Sequence, residues 1–314
     1  MKACPCLHLR AALVGALAFR SLTAVPVSGR VHSVFKHAVN VCRGQRGWFC
    51  LHDHCRALHP YSVVVEGSFL PSVEPGEQLV VSRLGIEFLD SGIEVEIGRA
   101  PVWDSRLRPF DQSEETFGPR MRRAAGILRK VGAEQHSASP FLSAVSCPEV
   151  KLAGAATSPE LFRARAAQLV SRLTQDWIGG RDDLAGTLVQ LVGFGPGLTP
   201  SGDDFLLGLL GADHYFTRIS GNGDDRAEFG RAMRRQLPAL LCSTTVQSRL
   251  MLEAALEGHY PAPVSGLLAS TGEGREDGIR ESVARLRNVG ATSGDDVLAG
   301  ILLWLETRAR GESL

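Results

Sequence analysis

Over the first hundred residues, apolar and polar positions alternate in short runs separated by turn residues. Val31 to Cys42, followed by a Gly/Arg turn and Trp48 to His52, reads as a hairpin. Tyr61 to Glu66, Gln78 to Arg83, Gly85 to Leu89 and Gly92 to Ile97 continue the series, which predicts a small barrel or sandwich. The period changes near Trp103 to Phe117. Beyond it, apolar residues recur every three or four positions, predicting helices over 118–131, 158–177, 182–192, 202–217, 225–241, 245–257, 275–288 and 294–309. Strands and helices are segregated, so the fold class is α+β: an N-terminal small β barrel or sandwich followed by a mostly helical C-terminal domain. The expected division is an N-terminal segment 1–28, a β-rich domain 29–115 and a helical domain 116–314. In the N-terminal segment, Lys2 and Arg10 precede the apolar stretch Ala11 to Phe19, in the manner of a short signal peptide. Arg20 follows at once and no clean small-x-small cleavage site appears before Gly29, so a first helix packed on the domain is the expectation.

Part of the chain occurs twice. Gly193-Phe-Gly-Pro-Gly-Leu-Thr-Pro-Ser-Gly-Asp-Asp204-Phe-Leu-Leu-Gly208 is answered by Ser293-Gly-Asp-Asp-Val-Leu-Ala-Gly300. Each copy reads as a Gly-containing loop turning into an apolar helix, with two adjacent carboxylates in the first turn. A loop feeding a helix N-terminus suits a small polar ligand. Helix capping also accounts for part of the pattern, because Ser-x-x-Asp before an apolar run is a capping box. Capping leaves Asp203, Asp295, Gly202 and Gly294 unexplained. Gly208 and Gly300, at matched mid-helix positions, cost about 1 kcal/mol each against Ala unless another backbone comes close. The two turns are therefore expected to be neighbours in one pocket, rimmed by Gly195 to Thr199.

Composition narrows the picture further. Lys+Arg and Asp+Glu both number 34, so nothing points to nucleic acid. No run reaches the length of a membrane span. Seven irregularly spaced Cys argue for a reducing, cytoplasmic location over a disulfide scaffold. Cys50-Leu-His-Asp-His-Cys55, with Cys42 and His59 nearby, has metal-ligand residue types without a recognised zinc spacing. Strand alternation sends Cys50, His52 and His54 to one face and Cys55 to the other, and polar residues at a sheet end are the expected explanation. Ser243-Thr-Thr reads as an N-cap or as a set of hydroxyls, with Arg249, for a carboxylate or phosphate. Rossmann, P-loop, serine-hydrolase, zincin and kinase signatures are absent.

The stretch Gly195-Pro-Gly-Leu-Thr-Pro-Ser-Gly-Asp-Asp-Phe-Leu resembles the hallmark of the AllH family, bacterial proteins associated with oxamate carbamoyltransferase. Gly29-Arg-Val-His-Ser-Val-Phe-Lys-His-Ala-Val-Asn40, Ser243-Thr-Thr and Gly290-Ala-Thr-Ser-Gly-Asp-Asp-Val-Leu-Ala-Gly300 extend the resemblance over about residues 29–305, leaving 1–28 outside it. The resemblance implies a carbamoyltransferase subunit of allantoin (purine) catabolism, converting oxalurate and phosphate to oxamate and carbamoyl phosphate together with other subunits. Asp203, Asp204, Asp295 and Asp296 are then the candidate catalytic residues, and Gly195, Gly197, Thr199, Ser201, Gly202, Thr244 and Ser293 the candidate substrate contacts. The carboxylates could accept from a carbamoyl NH₂, bind a divalent cation, or hold the loop. No dedicated cofactor or metal ligand set is expected, and the partners are a small-molecule substrate and the other subunits. The alternatives are a metal-dependent hydrolase using the paired Asp motifs and a non-catalytic ligand-binding or scaffold subunit.

Overall fold

The computed structural model describes residues 7–22, 27–44, 47–55, 57–67, 72–82, 84–110, 117–134, 137–146, 158–179, 184–217 and 225–310. The chain divides into two compact units, residues 1–106 and 107–314. In the first, strands β1 (Leu7–Gly15), β2 (Val27–Phe35), β3 (Ala38–Arg43), β4 (Gly47–His52), β5 (Ser62–Val65), β6 (Gln78–Val81), β7 (Gly85–Phe88) and β8 (Ile93–Glu96) pair in the order β5-β4-β3-β2-β6-β7-β8-β1. Strand β1 also pairs antiparallel with β5, which closes an eight-stranded barrel and leaves no free edge in the ring. A short β9 (Val102–Trp103) adds to the end of β1. Alternation places Val39 and Val41 of β3 and Phe49 and Leu51 of β4 in one core, which fills the barrel.

Two expectations differ in detail. Val31 to Cys42 is itself a hairpin, with Phe35 paired to Ala38 across a two-residue turn, and β4 is its third strand. The apolar stretch expected to be helical starts as strand β1, and helix is confined to α1 (Ala16–Leu22). Leu7 to Arg10 pair parallel with β8, and Ala11 to Val14 pair with β5. From Ala11 onward, where apolar residues run on without alternation, these tertiary partners decide the conformation.

The second unit holds α2 (Phe117–Glu134), α3 (Pro140–Ser146), α4 (Ser158–Gly179), α5 (Leu184–Leu191), α6 (Ser201–Phe216), α7 (Asp225–Gln236), α8 (Val246–Leu256), α9 (Ala262–Glu273), α10 (Glu276–Arg287) and α11 (Ser293–Arg310). Helix α6 is buried almost all round, as its central apolar run over 205–212 requires, and its largest helix–helix interface is with α11. Both mid-helix glycines lie at that crossing. A Cβ on Gly208 would overlap the Val297 carbonyl, and one on Gly300 would overlap the Phe205 carbonyl. The expected meeting of glycine faces is therefore present, and it is reciprocal. Helices α3 and α9 were not expected. Each begins at a proline, Pro140 or the Pro261-Ala-Pro263 run, and proline is tolerated in a first helical turn.

Candidate functional site

The loop between α5 and α6 is built on glycine and anchored by aromatics. Gly193, Gly195 and Gly197 all have positive φ, a region in which a side chain is strained. Phe194 stacks on Phe162 at 4.6 Å between ring centroids and meets Phe141 edge-on at 5.7 Å. Its carbonyl accepts from Gly202 N–H at 2.8 Å, which folds the loop onto the start of α6. From the other side, Thr245 caps α8 by accepting from Ser248 N–H and donates its hydroxyl to Leu198 O at 2.6 Å. Pro196 and Gly197 are exposed, whereas the carboxylates beneath are buried.

The four candidate aspartates fall into three environments. Asp203 accepts from Gly193 N–H at 2.9 Å through one oxygen and from the Thr244 hydroxyl through the other, so it ties the loop to the segment before α8. Asp295 pairs with Arg287 at 2.6 Å and accepts from Ser137 at 2.6 Å. Asp204 and Asp296 lie together between the two turns, and their serines are crossed. The Ser293 hydroxyl of the second motif stabilises the Asp204 carboxylate of the first, while the Ser201 hydroxyl of the first stabilises Asp296 of the second. Thr199 also reaches Asp204, and its hydroxyl lies 3.0 Å from that of Ser293. Ser139 donates to Asp296 Oδ1 at 2.5 Å. Each of the two central carboxylates keeps one buried oxygen, Oδ2, with no hydrogen-bond partner.

Burial dominates the electrostatics here. It pushes Asp204 well above the usual carboxylate range; the Ser293 and Thr199 hydroxyls act against it, and the charges of Asp296 and Asp203 reinforce it. Burial likewise lifts Asp296 to about 6, against the pull of the Ser139, Ser201 and Thr292 hydroxyls, with Asp295 adding to the rise. Asp203 is raised for the same reason, because burial outweighs its bonds from Thr244 and Gly193.

The two Ser-Gly-Asp-Asp turns are thus neighbours, and Thr199, Ser201, Ser293 and the two second aspartates gather between them. The rest of the candidate set has other contacts. Thr244 is spent on Asp203. Gly202 is packed so closely that a Cβ would overlap the Leu191 carbonyl, and Gly294 stands in the same relation to Leu286. Gly197 faces open space and Gly195 lies against Ser201. The capping-box reading fails for the first copy: Pro200 occupies the N-cap position with no side-chain cap bond, and the Ser201 hydroxyl acts on Asp296 instead. Arg249 pairs with Glu253 of its own helix at 3.9 Å. Sequence reasoning missed Ser137, Ser139 and Arg287. Only Ser139 carried a signal, as a Ser before Pro140 that caps α3 through Leu142 N–H.

Metal-ligand side chains converge in the barrel unit. Cys50, His52 and His59 form one group and His37, Asp53 and His54 another, each with donor atoms within 4.8 Å of one another. Cys50 and His52 do share a strand face, but β4 ends at His52, so His54 leaves that face and joins the second group. Burial pushes His52 down to about 4, with nearby His54 adding and Asp53 opposing. Burial also holds His59 well below its ordinary value and raises the Cys50 thiol. No comparable group of four carboxylates forms among the described residues, since Asp203 and Asp295 have separate partners. That removes the geometric basis for a two-copy metal hydrolase. No helix among the described residues is long and apolar enough to cross a membrane.

Comparison with known families agrees with this layout. The model of the oxamate carbamoyltransferase subunit AllH matches residues 191–305, from the end of α5 through both motifs. The model of the AllH family N-terminal domain matches residues 10–102, which is the barrel from within β1 onward. The family pattern therefore reaches into the segment 1–28 expected to lie outside it. No curated protein and no solved structure matches the chain. With both of its domain models accounted for, one on each unit, the chain belongs to the AllH family.

Proposed function

We propose that this chain is a subunit of an oxamate carbamoyltransferase-like complex that works in the cytoplasm with partner subunits on a small-molecule substrate. The observation that carries the reading is the Asp204–Asp296 pair inside the family-matched region, with two buried oxygens that lack donors. A carbamoyl NH₂ offers two N–H donors to two such acceptors. In the phosphorolytic direction, phosphate oxygen attacks the carbamoyl carbon of oxalurate, the C–N bond breaks, and the departing oxamate nitrogen takes up a proton. A buried carboxyl pair with raised affinity for protons suits that step, one member donating while the other stays ionised. The anionic ends of phosphate and oxamate would be repelled by these acids, so they belong at the rim, near the loop around Gly195 and Gly197. Asp203 and Asp295 act as positioning residues in this scheme.

The test is the assembled complex, assayed for phosphate-dependent cleavage of oxalurate. Asp204→Asn and Asp296→Asn should each lower kcat by about 100-fold or more with assembly intact. A complete, correctly assembled complex without activity on oxalurate would refute the substrate assignment. A second reading, a non-catalytic binding or scaffold subunit, is favoured by the burial of the Asp pair. It requires both variants to leave turnover unchanged.

A further inference from the structure

We propose that Cys50, His52 and His59 form a binding site for one zinc-class divalent ion on the outer face of the barrel wall. The site arises from the strand itself. Phe49 and Leu51 fill the barrel core, so the alternate residues Cys50 and His52 project from the opposite face, two residues apart. Cys50 Sγ and His52 Nδ1 stand 3.9 Å apart, close to the roughly 3.5 Å between ligands of a tetrahedral zinc ion. His59 arrives from the loop before β5. It is held by stacking on Trp48 at 5.1 Å and by an edge contact with His52 at 5.3 Å.

An independent observation points to a ligand. His52 is 5 % exposed, its Nδ1 faces the Cys50 thiol, and its other ring nitrogen, Nε2, is buried without any hydrogen-bond partner, so the protein alone does not satisfy this imidazole. Thiolate and imidazole together select zinc and similar d-block ions over magnesium or calcium. Binding converts the Cys50 thiol to a thiolate and releases its proton to solvent. It also requires His59 to give up the 3.2 Å bond in which Nδ1 accepts from Tyr61 N–H, a long and weak contact. Three protein ligands leave a fourth position open for water or another small donor. The neighbouring His37–Asp53–His54 group also holds a buried unpartnered atom, Asp53 Oδ1, but it is the weaker competitor, because the other Asp53 oxygen is engaged by His37 at 2.9 Å, His37 is exposed and the group has no thiol.

The test uses the full chain, stripped by chelator and titrated with Co²⁺ as the spectroscopic probe, then with Zn²⁺ in competition. One equivalent of Co²⁺ should bind, with a thiolate-to-cobalt charge-transfer band in the near ultraviolet, and Zn²⁺ should displace it. Cys50→Ser should abolish the band, and His52→Gln should weaken binding by about 100-fold or more. Cys55→Ser and His37→Gln should leave band and affinity unchanged. Circular dichroism establishes that each variant is folded; should Cys50→Ser fail that check, His59→Gln carries the test through its loss of affinity. Failure to bind Co²⁺, a band that survives Cys50→Ser, or a band lost with Cys55→Ser or His37→Gln overturns the proposal.

Discussion

The two Ser-Gly-Asp-Asp turns carry the same four residues at the same helical positions, yet they use their first aspartate differently. Asp203 is held by neutral donors, a backbone N–H and the Thr244 hydroxyl, and so fastens a loop. Asp295 faces the Arg287 guanidinium, with both side chains only about one-eighth exposed, and so joins two helices by charge. The second aspartates behave alike, each taking its serine partner from the opposite turn. Divergence at the first position and reciprocity at the second suggest that the shared centre requires the paired geometry, while each surrounding shell is free to adapt.

The comparison breaks most completely at the helix crossing. Gly208→Leu and Gly300→Leu should each cost more than about 3 kcal/mol, because the added side chain meets backbone that cannot yield. Urea unfolding of the two variants should show equal damage; a tolerant Gly300 would mean that the crossing is not reciprocal. Next is Asp295→Asn, which strands the Arg287 charge in a nearly dry site and should cost about 3 kcal/mol. Asp203→Asn keeps an acceptor for Gly193 N–H, and the Thr244 hydroxyl can reorient, so about 1 kcal/mol is expected. Comparable losses in these two variants would erase the distinction drawn between the turns.

Of the same order as the Asp295 effect is a pH dependence. The folded-state pKa of Asp296 is raised to about 6 from an ordinary value of 3.8. The folded chain therefore holds this proton more tightly than the unfolded chain does. Its contribution to stability is complete below about pH 4 and is lost as pH rises through 6, on the order of 3 kcal/mol in all. Asp296→Asn should flatten the stability profile across that window, as followed by thermal unfolding at several pH values. The smallest expected effect is Thr199→Val, which removes one hydroxyl from Asp204 at about 1 kcal/mol or less and should raise the Asp204 pKa further.

The duplicated motif and its matched glycines made the adjacency of the two turns legible, because a costly mid-helix glycine demands a close backbone neighbour. The sequence could not assign the four aspartates to their roles. Ser137 and Thr244 reach them from distant positions and Arg287 from the end of the preceding helix, and nothing in the local pattern announces those contacts. The barrel was readable from alternation wherever one strand face is apolar and the other polar. Strand β1 was not, because the alternation of Leu7 to Arg10 gives way to the uniformly apolar run from Ala11, and its conformation is set by β5 and β8. In the same way, His52 and Cys50 declared their shared face through spacing, but His59 joins them only through the loop that precedes β5.

The closure of the barrel by its first strand has a consequence for the order in which the protein can be made. Of the barrel strands, β1 leaves the ribosome before the others, yet both of its ring partners, ending at Val65 and Glu96, are synthesised later. Until they appear, the apolar side of Leu7–Gly15 has no partner, while the β2–β3–β4 meander can already form from neighbouring segments. Ring closure is thus a late event of high contact order, the stage at which the nascent chain offers a chaperone, or another nascent chain, an unpaired strand.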